Sequence, residues 1–325
     1  MKTIISIIAI LSLTALGIQA RTWSSADGKS TFEGELISYN ANTGEVTVVR
    51  DGKRITFAQQ ILSASDITFL KNWTPPATPA TAELPGWKLV WSDEFDKAGL
   101  PDTKKWSYEK GLVRNQEKQY YTEKRLENAR IQDGKLIIEA RKEKFENADY
   151  TAASLTTQGH KSGEWKYGRI EVNAKLPAGR GSWPAIWMLP TDISKVPWPK
   201  CGEIDIMEHV GFDPSVIHGT LHSEAYNHVK KTQRATRIKL PTFSKNFHTY
   251  ATEWSADKIV MQIDGKTFAT YNKKPGDKEA EWPFDKPYYL ILNLAIGGGW
   301  GGMKGIDDAA FPQRMEVDFV RVYQK

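Results

Sequence analysis

The sequence predicts an all-β protein: a large two-sheet sandwich over residues 85–325, preceded by a small barrel over residues 21–73. Three observations carry this. Short alternating or fully apolar runs recur along the chain, and Gly, Pro, Asn and Asp punctuate them. No stretch holds the 3.6-residue apolar period of a long amphipathic helix. So many strands in one continuous segment favour two packed sheets, because each sheet must bury a face against another layer.

The first twenty residues stand apart. Lys2 is followed by an apolar run from Ile4 to Ile18 and then by Gln19-Ala20, the pattern of a secretory leader cleaved near Ala20. The run is too short and too abruptly ended for a membrane anchor. The mature chain is therefore expected to be exported, extracellular or periplasmic, without a membrane span. Residues 21–73 follow, in which Ser30–Ser38, Glu45–Arg50 and Lys53–Phe57 alternate apolar and polar positions. Residues 40–44 and the Asp51-Gly52 pair separate them, the latter a two-residue hairpin signal. A helical turn over Ser63–Leu70 closes the unit. Strands this short, joined by hairpins, suggest an SH3-like barrel. Residues 74–84 are rich in Pro, Thr and Ala and read as a semi-rigid linker.

Beyond the linker, the runs predicted as strands are Trp87–Trp91, Lys135–Arg141, Tyr167–Lys175, Ile186–Leu189 and Ile204–Glu208. They continue with His248–Trp254, Lys258–Ile263, Tyr288–Ala295 and Met315–Tyr323. A curved sandwich of this size offers a concave face long enough to hold a polymer.

Composition narrows the function. The net charge of +5 is spread over interleaved Lys, Arg, Asp and Glu without a basic tract, which argues against nucleic-acid binding. A single cysteine, Cys201, rules out a disulfide framework and a thiolate metal site. It reads as a small buried hydrophobe, since no base stands beside it in the sequence. Twelve tryptophans in an exported chain suit sugar stacking as well as core filling.

The decisive segment is Cys201-Gly-Glu-Ile-Asp-Ile-Met-Glu-His-Val-Gly211. Alternate residues of a strand share a face, so Glu203 and Asp205 fall together with Ile204 and Ile206 behind them. Strict alternation would turn Glu208 into the core, where an isolated carboxylate is costly. A one-residue bulge at Ile206–Met207 returns Glu208 to the acidic face. Three crowded acids without an interleaved cation suit a solvated face, a cation site or glycoside hydrolysis. The last needs a nucleophile and a proton donor about 5–5.5 Å apart in retaining enzymes. Asp205, shorter and between the two glutamates, would act electrostatically, bonding the nucleophile and keeping Glu208 protonated.

Gly202–Gly211, with Gly181-Ser-Trp-Pro-Ala-Ile-Trp-Met-Leu-Pro190, Trp91-Ser-Asp-Glu-Phe-Asp96 and His218-Gly-Thr-Leu-His222, resembles glycoside hydrolase family 16, in its laminarinase-like branch. Tyr288–Gly299 and Met315–Tyr323 extend the likeness over nearly all of residues 85–325. The resemblance implies a β-jelly-roll with a concave substrate cleft, and retaining hydrolysis of internal bonds in β-1,3-glucan (laminarin) or mixed-linkage β-1,3-1,4-glucan. It implies Glu203 as nucleophile, Glu208 as acid/base and Asp205 as the assisting acid, with no cofactor for catalysis. Trp183, Trp187 and Trp198 become candidate sugar platforms, and Trp300 a residue bordering the cleft. Asn115 falls where relatives carry the first Asn of Asn-Asn-Glu, although Gln116 departs from that pattern. His222 is placed either to bond a sugar hydroxyl or to serve as a structural histidine. The resemblance also implies a structural Ca²⁺ held by Glu94, the backbone of Gly134 and Asp318, for which ordinary surface or paired acids are the alternative. The expected partner is a β-glucan, and the expected state a monomer.

Two further readings stay open. A galactan hydrolase of the agarase or carrageenase type shares the bulged spacing, but only Arg180 and Lys200 lie near the acids in sequence. A non-catalytic glucan-binding protein shares the fold, yet such proteins usually lose the acids. Separately, Arg21-Thr22-Trp23, Asp51-Gly52-Lys53 and Leu62–Asp66 resemble a Sla-homology domain, an SH3-like module. That likeness implies binding or attachment to an unknown partner.

Overall fold

The computed structural model describes residues 20–41, 43–50, 53–73 and 84–325. The predicted leader, the Asp51-Gly52 turn and nearly all of the predicted linker lie outside the described residues. The chain divides into two compact units, one ending at Leu84 and the other spanning Pro85–Lys325.

In the first unit, strands Arg21–Ser24, Thr31–Asn40, Glu45–Arg50 and Lys53–Ala58 form an antiparallel sheet in consecutive order. Helix Ala64–Asn72 follows. Ser63 starts it by accepting the Asp66 backbone N–H at 3.2 Å, which satisfies one of the free donors of the first turn. Asp66 is buried, holds the Arg21 guanidinium and accepts the Ser24 N–H at 2.8 Å, so the helix start is fastened to the first strand. Trp23, Leu36, Val46, Val48, Leu62 and Leu70 form the core. The Trp23 indole N–H is satisfied by the Gly34 carbonyl at 2.9 Å.

The second unit is built from a ten-stranded and an eight-stranded sheet. In the larger, the Gln313–Gln324 strand is flanked by Gly168–Lys175 and Lys135–Phe145. In the smaller, the order runs Arg234–Lys239, Val216–His222, Glu203–Glu208, Ser182–Pro190, Tyr288–Ile296, Ser154–Thr156 and Ser107–Tyr108. Ile186, Met188, Ile204, Ile206, Met207 and Leu290 from the smaller sheet share one core with Tyr250, Trp254, Met261, Val320 and Val322 from the larger. Burying one such aliphatic side chain stabilises by about 1.5–3 kcal/mol. The opposite side of the smaller sheet carries a separate apolar patch of Ala185, Trp187, Leu189, Tyr289 and Ile291. That division fixes the Glu203–Glu208 strand with one face in the core and the other available for chemistry.

Candidate active site

Gly202 turns the chain into this strand at φ +86°, where an added Cβ would lie 2.4 Å from the Tyr288 hydroxyl and 2.7 Å from Pro283. Only glycine fits. Glu203 then pairs with His222, Asp205 with Thr220 and Glu208 with His218. Ile206 and Met207 together stand opposite the single residue Gly219, which is the expected bulge. Both bulge side chains enter the core, and Glu208 emerges on the face of Glu203 and Asp205. A Cβ at Gly219 would come within 2.5 Å of the Met261 sulfur. The core opposite the bulge is therefore already full.

Asp205 is closed off from solvent at 2 % exposure, while Glu203 and Glu208 keep a solvent-facing edge. Burial raises the pKa of all three carboxyls. For Glu203 the rise is opposed by a hydrogen bond from Asp205 and by the field of Arg114. For Asp205 the charges of Glu203 and Glu208 add to it, and for Glu208 the charge of Glu203 does so. Against this, the Trp183 indole N–H donates to Glu208 Oε1 at 3.0 Å and favours its ionised form. Burial lowers His222 to about 4, so its ring is neutral. Its Nε2 lies 3.4 Å from Asp205 Oδ2 and 3.8 Å from Glu203 Oε1.

Aromatic rings flank the acids at both ends. Trp300 packs edge-on against Trp183 at 5.5 Å and His218 at 4.9 Å, beside Glu208. Trp198 lies 5.9 Å from the His222 ring and 5.0 Å from His228, beside Glu203. Trp187 behaves differently from its neighbour Trp183. It is 8 % exposed, its N–H donates to Asn293 Oδ1 at 2.7 Å, and the Arg114 guanidinium covers its ring at 4.9 Å. It forms floor rather than wall.

Asn115 adopts φ +55°, and its carbonyl accepts the Gly299 N–H at 2.9 Å, tying its loop to the glycine run before Trp300. Its side chain donates to Glu117 Oε1 at 3.2 Å. Glu117 is buried and also accepts from Gln119 at 2.7 Å and the Tyr121 hydroxyl at 3.2 Å. Asn293 donates to that hydroxyl at 2.9 Å, which completes a hydrogen-bonded chain from Glu117 to Trp187.

Sequence reasoning missed Arg114, Glu117, His218, His228 and Asn293. Glu117, Gln119 and Tyr121 alternate in the sequence, which was the available signal for a shared face. His218 and His222 carry the same period, four apart, but their pairing with the acids depends on register. Nothing local marks Arg114.

The three residues expected at a calcium lie elsewhere. Glu94 is gripped through both oxygens by Arg321, at 2.9 and 2.8 Å, as in the paired-acid alternative. Asp318 does reach the same neighbourhood, since burial and then the charges of Glu94, Asp93 and Asp318 all raise the pKa of Asp96. Gly134 sits at φ +66° in the turn before Lys135–Phe145. Converging acids of this kind fit a hard cation, though Arg321 already meets part of their charge.

A sandwich whose open face sets two glutamates around a buried aspartate, walled by indole and imidazole rings, is the architecture of an enzyme that cleaves glycosidic bonds. Residues 116–321 match glycosyl hydrolases family 16. A beta-glucanase of Rhodothermus marinus is 53% identical over 250 residues, covering 74% of this chain and 87% of that protein. A glucan endo-1,3-beta-glucosidase A1 of Niallia circulans is 36% identical over 275 residues, covering 76% of this chain but 39% of that larger protein. The solved structure of the laminarinase from Rhodothermus marinus superposes with a TM-score of 0.71 at 51% identity, covering 73% of this chain and 97% of that one. The chain belongs to glycosyl hydrolase family 16.

Proposed function

We propose that this chain is an exported endo-β-1,3-glucanase that cleaves laminarin-like or mixed-linkage glucans with retention. The observation that carries it is the bulged strand, which sets Glu203, Asp205 and Glu208 on one face, where burial and neighbouring charge favour the protonated forms of Asp205 and Glu208. Relatives named as beta-glucanase, endo-1,3-beta-glucosidase and laminarinase support the substrate class.

Asp205 keeps its proton and donates it as a hydrogen bond to Glu203, which favours the Glu203 carboxylate. That carboxylate attacks the anomeric carbon as the glycosidic C–O bond breaks, and the Glu208 proton passes to the departing oxygen. Glu208, now ionised, takes a proton from water, whose oxygen displaces Glu203 and restores the starting configuration. Because Glu208 must be protonated and Glu203 ionised, the raised Glu208 pKa serves the reaction directly. Trp183, Trp300 and Trp198 supply ring faces for stacking glucose units, while Trp187 supports the floor beneath Arg114. Asn115 and His222 line the approach.

A structural Ca²⁺ on Glu94, the Gly134 carbonyl and Asp318 would stabilise the sheet ends and take no part in bond cleavage. A Ca²⁺-dependent rise in melting temperature after chelation would support it. The apolar run at residues 4–18 supports export. The N-terminal unit is read as an SH3-like attachment module, tested by pull-down with residues 21–73.

The test of activity is to incubate the full chain with laminarin, lichenan, agarose and carrageenan and to size the products. Short oligosaccharides of mixed length from the glucans, with the galactans untouched, are expected. Products from agarose or carrageenan alone would replace the glucanase reading with the galactanase one. Binding of laminarin without reducing-end release would point to the recognition protein.

A further inference from the structure

We propose that Glu203, Asp205 and His222 also form an inhibitory site for one divalent transition metal of the zinc class. Their ligand atoms lie within 4.8 Å of one another. Zinc bonds of about 2.0–2.2 Å in a tetrahedron place neighbouring donors about 3.3–3.6 Å apart. The observed 3.4 Å between His222 Nε2 and Asp205 Oδ2 falls in that window, and the 3.8 Å to Glu203 Oε1 needs a shift of a few tenths of an ångström. The remaining pair, Asp205 and Glu203, lies within the same 4.8 Å, so a single ion can reach all three.

An observation independent of the clustering also points to a ligand. Asp205 is 2 % exposed, yet its Oδ2 has no hydrogen-bond partner and is aimed at the His222 ring. A buried carboxyl oxygen without a hydrogen-bond partner is costly to keep, and a cation would satisfy it.

The donor set decides which cation. One imidazole nitrogen and two carboxylate oxygens suit zinc and its borderline-soft neighbours. Three ligands are too few for Ca²⁺, which takes 6–8 oxygens, and Mg²⁺ gives up its water reluctantly. The outer partners indicate how tightly it holds. A ligating histidine normally donates its second N–H to an acceptor, but His222 Nδ1 has none. This site should therefore bind reversibly, as an inhibitor site and not a resident cofactor site. On binding, the proton shared by Asp205 and Glu203 leaves to solvent and the metal takes the Glu203 oxygen lone pair. The inhibition, unlike the binding, rests on Glu203 being the nucleophile.

The experiment titrates the full-length protein with zinc sulfate by calorimetry near neutral pH, with magnesium chloride as the control, and follows laminarin hydrolysis in parallel. One zinc per chain is expected, with proton release, at least a tenfold loss of rate at saturation, and recovery with EDTA. His222→Gln should weaken zinc binding at least tenfold while circular dichroism stays unchanged, and magnesium should do neither. Absence of one-site zinc binding, or binding that survives His222→Gln, would overturn the site. If the variant misfolds, zinc-dependent loss of the His222 ring signals in an NMR spectrum of the parent decides the same point. Zinc bound at a His222-dependent site with full activity would leave the site standing and overturn Glu203 as nucleophile.

Discussion

Two sets of buried carboxylates in this unit are treated in opposite ways. Glu139, on the ten-stranded sheet, is fully buried and accepts hydrogen bonds from Arg130 at 2.9 Å, Arg314 at 2.8 Å and also from Arg141. Glu203, Asp205 and Glu208, on the eight-stranded sheet, have no Arg or Lys ion pair among the described residues. Among the described residues, the cation whose field reaches Glu203 is Arg114, and its own partner is Glu109. Charge matching holds a carboxylate in place for structure. Withholding the match keeps protons on the acids, and that is what a proton donor needs.

Substitutions should separate these regimes, and the largest effect belongs to the unmatched set. Glu203→Gln should lower kcat by about four orders of magnitude or more, because removing the nucleophile of a cooperating set removes most of its action. Its urea midpoint should equal or exceed that of the parent, and near-parental hydrolysis would sink the assignment. On the matched set the sign reverses. Glu139→Gln removes the charge that three guanidinium groups share, but Arg141 and Arg314 are 40% and 52% exposed and return to water, so stability should fall by about 1–3 kcal/mol. Urea unfolding measures this, with kcat per folded molecule unchanged.

The difference between the two sets was only half visible beforehand. The spacing Glu-x-Asp-x-x-Glu implies a bulge because a carboxylate in the core is costly, and that argument needs no knowledge of neighbouring strands. The strands His248–Trp254 and Lys258–Ile263 lie where their apolar runs predict. The strands Val216–His222 and Arg234–Lys239 were not predicted. The first hides polar residues that serve the site, and the second is a largely exposed edge. Register is what local pattern does not carry. It sets His218 opposite Glu208 and brings Arg321 to Glu94 across 227 residues. Trp183 and Trp187 look equivalent in sequence, and it is long-range contacts, with Asn293, Tyr289 and Arg114, that make Trp187 a floor and leave Trp183 a wall.

A smaller effect tests the cost of withholding charge. Asp205 holds its proton in the folded state at pH values where the unfolded chain has released it. Folding then takes up a proton, so stability declines as pH rises above the ordinary aspartate range of about 4. Asp205→Asn removes that proton uptake. The variant should melt above the parent at about pH 8 and show no such advantage at about pH 4, while losing activity at both. A variant less stable at the higher pH would mean that the acid is structurally matched after all.

The finest expected effect lies in one hydrogen bond. The Trp183 N–H stabilises the ionised form of Glu208 and so works against the proton that Glu208 must deliver. Trp183→Phe keeps a ring for stacking but removes the donor, which should raise the Glu208 pKa further. The alkaline limb of kcat/KM, set by loss of the Glu208 proton, should therefore move to higher pH, while the acid limb set by Glu203 stays in place. A ring that served only to bind sugar would raise KM and leave both limbs unmoved. The bond also orients the carboxyl, so the same variant should lose rate at its optimum even as its profile widens on the alkaline side.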